Sequence, residues 1–109
     1  MTKLELIEKL STLPELIEAQ EQVVIAAYGQ AQESKAILTE AEDVLILIGQ
    51  IDGKNAETRS AQLRAKTAKE REAIQKAEND LSIARVHLNR LNNELAVCRA
   101  IAGMLKGAE

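Results

Sequence analysis

"EDVLILIGQIDGKNAETR", residues 42–59, sets five apolar side chains in a row, Val44 to Ile48, ahead of a turn signal and a charged run. A helix buried against one neighbour needs apolar residues along one stripe only, so this run asks for cover on more than one side. Asp52-Gly53 is a turn pair and Asn55 a good helix N-cap. The stretch therefore reads as the tip of a helical hairpin, with one arm before it and one after.

The period of the arms supports that reading. In the second arm Ser60, Thr67, Ile74, Leu81, Leu88, Leu95 and Ala102 recur every seventh residue (position a). Leu63, Glu70, Ala77, Ala84, Leu91, Cys98 and Leu105 do so at position d. In the first arm Leu10, Ile17, Val24, Ala31, Leu38 and Leu45 are a, and Leu6, Leu13, Gln20, Ala27, Ser34, Ala41 and Ile48 are d, with the phase running straight through Pro14. Folding back at Gly53 pairs Leu45 with Ser60, Ala31 with Ile74, Ile17 with Leu88 and Leu10 with Leu95. Thr2 with Glu5, and Thr12 with Glu15, match the T-x-x-E capping box. These signals predict a short helix over about 3–10, a long helix over about 13–50 with Pro14 in its first turn, a turn at 51–54 and a long helix over about 55–106. The fold class expected is all-α: one domain over 1–109, an antiparallel, coiled-coil-like helical hairpin with a short N-terminal helix.

Composition agrees. Among 109 residues Tyr28 is the sole aromatic, so the core is built from Leu, Ile, Val and Ala, and alanine-rich layers let helices approach closely. The single Cys98 excludes an internal disulfide, and no stretch resembles a signal peptide or an apolar span of ~20 residues. A cytoplasmic protein with no membrane contact is the expectation.

A second apolar row lies beside the seam of the first arm. Leu16, Val23, Gln30, Ile37, Val44 and Ile51 occupy g, and Ala19, Ala26 and Leu47 occupy c. A lone hairpin has nothing to lay over this row, and soluble monomers avoid contiguous patches of that kind. Burying such side chains is worth roughly 1.5–3 kcal/mol each. The expected cover is another copy of the chain, giving a homodimer or larger helical bundle with Leu16, Val23, Ile37, Val44, Leu47 and Ile51 in its interface. The short N-terminal helix, folding back, is the competing cover for part of the row.

Charge is segregated along the chain. Residues 1–53 carry three Lys against ten Asp and Glu, whereas residues 54–109 carry eleven Lys and Arg against seven Asp and Glu. In the derived register the e rows face each other, Glu42 with Arg64 and Glu21 with Arg85, so that flanking charges set orientation. Lys35 opposite Arg71 departs from that scheme. With Tyr28, Arg64, Lys69 and Lys76 on the same half, these two cations read as a spot for an anionic nucleotide or nucleic acid, with one ring for base stacking.

Catalytic material is scarce. His87 is the only histidine and falls on a flank, without ligand-spaced cysteines or carboxylates. There is no Glu-x-x-His pair, phosphate loop or nucleophile elbow. Cys98 at d reads as a buried small hydrophobe, and Glu70 at d as a polar layer that specifies register. The reading is a protein without enzymatic activity, metal or cofactor.

The central "IDGKNAETR" and the overall layout resemble small helical-hairpin accessory proteins of tailed phages and prophages. The order of a short helix and two long ones is also similar to phage proteins that assemble into helical oligomers and sequester cyclic nucleotide signals. The resemblance implies a phage accessory protein or inhibitor, working in the host cytoplasm by binding a protein partner, with nucleotide or nucleic-acid binding as the alternative.

Overall fold

In a computed structural model, which describes residues 1–108, side chains take over spare backbone hydrogen bonds at the starts of the first two helices. Thr2 and Glu5 form the expected capping box. The Glu5 amide donates to Thr2 Oγ1 at 3.1 Å, and the Thr2 amide donates to Glu5 Oε2 at 3.4 Å. Helix α1 then runs from Lys3 to Leu47 without interruption, with Pro14 inside it.

The separate short helix expected over 3–10 is therefore absent. Thr12 does not cap a new helix, because its hydroxyl donates back to the Glu8 carbonyl at 3.0 Å, as that of Ser11 does to Ile7. Pro14 removes one amide donor and crowds the turn before it, a cost of about 3 kcal/mol or more in an isolated helix. On either side of it Leu13 and Ile17 are buried in the same cluster. A break at Pro14 would put them out of phase, so packing outweighs the local penalty.

Helix α1 ends in a Schellman motif. The Gln50 amide donates to the Leu45 carbonyl at 3.0 Å, the Gly49 amide to Ile46 at 3.2 Å, and Gly49 takes φ +77°. The helix thus stops ahead of residue 50, and the connection is longer than the expected 51–54. It is tied down by the next helix, α2 (Ala56–Lys66). Asn55 Oδ1 accepts from the Thr58 amide at 2.8 Å. Gln62 grips the loop twice, accepting from the Gly53 amide at 2.9 Å and donating to Asp52 Oδ1 at 2.7 Å. Gly53 is held so close that a Cβ there would lie 2.8 Å from the Arg59 backbone nitrogen.

The second arm is not one helix, as expected over 55–106, but two: α2, and α3 from Ala68 to Ala108, separated by Thr67 at φ −116° and ψ 27°. The Leu63 carbonyl accepts from both the amide (3.0 Å) and the hydroxyl (2.6 Å) of Thr67, and Thr67 Oγ1 in turn accepts from Arg71 Nε at 3.0 Å. The backbone bonds into and out of Thr67 are kept, and the residue is wholly buried. The bond from Arg71 distinguishes this hydroxyl from those of Ser11 and Thr12, which bond back in the same way within the unbroken α1.

Packing divides the chain into two compact units. A terminal unit holds Met1–Ala26 with Ser82 onward, and a loop unit holds Ala27–Leu81. In the terminal unit Leu6, Leu13, Ile17, Leu95 and Cys98 form a core flanked by Leu10, Leu88, Leu91, Ile101 and Ala102. Cys98 has no exposed surface, as expected for a small hydrophobe. Gln20, polar at d, is satisfied by donating to the Ala84 carbonyl at 3.0 Å. In the loop unit the buried side chains are smaller: Ala31, Ser34, Thr67 and Ala77, with Leu81.

Each unit independently reports its register, and both differ from the sequence-derived one. In the loop unit Lys35 faces Glu78 and Glu42 faces Arg71, all at e. Stepping from e to the adjoining seam positions sets Ala31 across from Ala77 and Leu38 across from Glu70. In the terminal unit Lys9 pairs with Glu94, both at g, which sets Leu10 across from Cys98. The pairs Ala31 with Ile74 and Leu10 with Leu95 are thus displaced by three residues. In antiparallel helices a position a packs beside d of its neighbour, not beside another a.

Candidate functional site

The g and c row of α1 is one of the apolar surfaces that the chain leaves open; Ile83, Val97 and Met104, at c on α3, are exposed as well. In the terminal unit Leu16 and Val23 are about half exposed, and in the loop unit Ile37 and Val44 are 49% and 48% exposed. Leu47 is 84% exposed, with Ile46 and Ile48 on either side also open to solvent. The apolar run Val44–Ile48 is therefore covered on one side only, where Leu45 is partly buried. Ile51 departs from the expected row. Because the Schellman turn ends the helix before it, Ile51 is carried back to line a recess with Ile46, Ala56 and Leu63, and is itself partly covered.

Two shallow grooves open on this same side of the loop unit. One, of about 390 Å³, is lined by Ile37, Glu40, Ala41, Val44, Leu45, Lys66 and Glu70. The other, of about 270 Å³, is lined by Gln30, Ser34, Ala73, Lys76, Ala77 and Asp80. Glu70 is partly buried and lines the first, across from Leu38. In the terminal unit His87 is exposed, in a surface depression with Ser82, Ile83, Val86 and Arg90.

The six residues expected to form a basic spot do not gather into one patch. Tyr28, Lys35, Arg64 and Arg71 belong to the e flank, while Lys69 and Lys76 occupy c, and Lys76 lines the groove on the opposite flank. Lys35 does not face Arg71. Its ammonium lies 3.3 Å from Glu78 Oε1, Arg71 Nη2 lies 3.7 Å from Glu42 Oε2, and Lys76 Nζ lies 3.8 Å from Asp80 Oδ2. Three of the five cations thus have a carboxylate neighbour, and Glu42 is taken by Arg71 rather than Arg64. The Tyr28 hydroxyl accepts from Gln32 Nε2 at 2.8 Å, and its ring is half exposed.

Two structural contacts have little signal in the sequence. The Lys9–Glu94 pair holds the Lys9 ammonium above its ordinary pKa of 10.5, through the hydrogen bond to Glu94 first and the charge of that carboxylate second. An a-to-d alignment of the seam would have revealed it. The grip of Gln62 on Asp52 and Gly53 has no such signature. Among the described residues no group of three or more His, Cys, Asp or Glu side chains gathers as a metal site, and no helix is long and apolar enough to cross a membrane. No protein-family model, curated protein or solved structure matches this chain.

Proposed function

We propose that the chain is a non-enzymatic helical interaction protein that associates with itself and acts by binding a protein partner. The observation that carries the reading is the half-exposed apolar pair at heptad spacing beside the seam in each unit, Leu16 with Val23 in the terminal unit and Ile37 with Val44 in the loop unit, with polar Gln30 at the g position between the pairs. Such pairs gain by meeting a second helical surface, at roughly 1.5–3 kcal/mol for each side chain fully buried. The resemblance around "IDGKNAETR" adds the setting: an accessory protein or inhibitor of a phage or prophage, acting in the host cytoplasm on a host or phage protein.

The carboxylates beside Lys35, Arg71 and Lys76 favour this reading over binding of an anionic nucleotide or nucleic acid, because those charges serve contacts within the hairpin. Light scattering at micromolar concentration tests the self-association. A mass of at least two chains is expected, and Ile37→Glu with Val44→Glu should return a folded monomer. A wild-type mass of 11.9 kDa would overturn it. An oligonucleotide and cyclic-nucleotide panel at low salt tests the alternative, which needs salt-dependent binding.

A further inference from the structure

We infer that a second copy of this chain docks on the g and c face of the loop unit about a two-fold axis that runs along the hairpin, so that Glu33 and Glu40 of one protomer meet the partner's Lys76 and the partner's Lys69. The inference rests on the proposed self-association and specifies its geometry. On this face α1 presents Glu33 and Glu40 with Ile37 and Val44 between and beside them, and the second arm presents Lys66, Lys69 and Lys76. The α1 row is acidic, and the second-arm row is basic from Lys66 to Lys76, with Asp80 following beyond it. Among the described residues the ion pairs leave Glu33, Glu40, Lys66 and Lys69 out, and Lys76 meets only Asp80 of its own helix.

Two identical faces can meet about an axis lying in their common plane, and only two directions keep the helices aligned. An axis across the helices stacks α1 on α1 and the lysine row on the lysine row, bringing like charges together on both sides. An axis along the helices lays each α1 over the other protomer's second arm, antiparallel to it, and Glu33 and Glu40 then face lysines rather than carboxylates. Charge selects the second direction. It also leaves no freedom in register, because rotation about that axis does not change the height of a residue along the hairpin. The heights are set by the pairs of Lys35 with Glu78 and Glu42 with Arg71. They place Glu33 level with residue 75 and Glu40 level with residue 68, each within one residue of a lysine at c. Ile37 and Val44, on the inner edge of the face, then approach the axis, where the groove floor and the second copy close over them.

The test is sedimentation equilibrium and light scattering on the full chain with E33K/E40K, K69E/K76E and the fourfold variant carrying all these changes. Each double variant is expected to weaken dimerisation by about tenfold or more at low salt, and the fourfold variant to regain it. Circular dichroism on the same samples checks that the helices persist, since all four side chains are on the surface. A short bismaleimide provides a second readout in a Cys98→Ser background: Glu40→Cys with Lys69→Cys should crosslink between copies, whereas Glu40→Cys alone should not. A wild-type dimer unaffected by either double variant, or efficient crosslinking by Glu40→Cys alone, would overturn this geometry and leave self-association standing. A monomeric wild type would remove both.

Discussion

The ammonium of Lys35 lies 3.3 Å from the Glu78 carboxylate, and this relationship sets the register of the loop unit, because both residues occupy e on antiparallel helices. It puts Ala31 beside Ala77, a contact of two small side chains that lets the backbones approach. Both charged groups are about half exposed, so the pair specifies alignment more than it adds stability.

Charge exchange tests this pairing. Lys35→Glu and Glu78→Lys should each lower the unfolding midpoint, and together restore it, with a coupling of about 0.2–1 kcal/mol by a double-mutant cycle in urea. Were Lys35 facing Arg71, Lys35→Glu alone would raise the midpoint instead.

Arg71 does more than its partner across the seam. It meets Glu42 and also donates to the hydroxyl of Thr67 at the break between α2 and α3. Arg71→Glu should therefore destabilise by roughly 1–2 kcal/mol, the sum of a surface pair and one hydrogen bond. Thermal unfolding reads this directly, and an unchanged or higher midpoint would contradict the geometry at the break.

Two glycines should respond in opposite directions to the same change. Gly29 lies inside α1, and a methyl carbon placed on it would meet nothing within 4 Å, so Gly29→Ala should stabilise by about 0.5–1 kcal/mol through lower unfolded-state entropy. At Gly53 the added carbon would meet backbone at 2.8 Å. Gly53→Ala should destabilise and loosen the grip of Gln62, seen as faster exchange of the amide at position 53.

Lys9 gives a signed dependence on pH. Its folded pKa is raised, so its contribution is fully present below the ordinary lysine value and is lost as pH rises through the folded one. Relative to Lys9→Met, the wild type should lose its advantage only in the strongly alkaline range. A loss beginning near neutrality would assign the effect to another group.

Much of the architecture is legible from periodicity. Leu6, Leu13, Ile17, Ala31, Ala77, Leu81, Ala84, Leu95 and Cys98 are all buried, and all fall on the seven-residue series. Register is less accessible, because a repeat of seven is unchanged when one helix slides by seven, and pairing a with a places the flanking charges wrongly. The heptad phase through Pro14 carries more information than the capping box at Thr12, whose hydroxyl has a second use within the helix. The break falls at Thr67, whose hydroxyl bonds Leu63 and Arg71, contacts that no hydrophobic pattern records. The apolar row is legible up to Leu47 and fails at Ile51, where the turn redirects the chain. The expected facing of Lys35 with Arg71 inherits the wrong register, since Lys35 meets Glu78 and Arg71 meets Glu42.

The alignment of Lys35 with Glu78 also constrains how the gene can change length. Deleting one residue from α1 turns everything beyond it by about 100° and shifts it by about 1.5 Å, moving seam side chains to the outside. Deleting a whole heptad restores the facing but slides one arm past the other, setting Lys35 against a new neighbour. Only a matched loss of seven from the other arm recovers both. Insertions and deletions in this hairpin should therefore survive as compensated pairs in multiples of seven, one on each side of the connection, and tolerance of a library of single and paired heptad deletions would reveal that coupling.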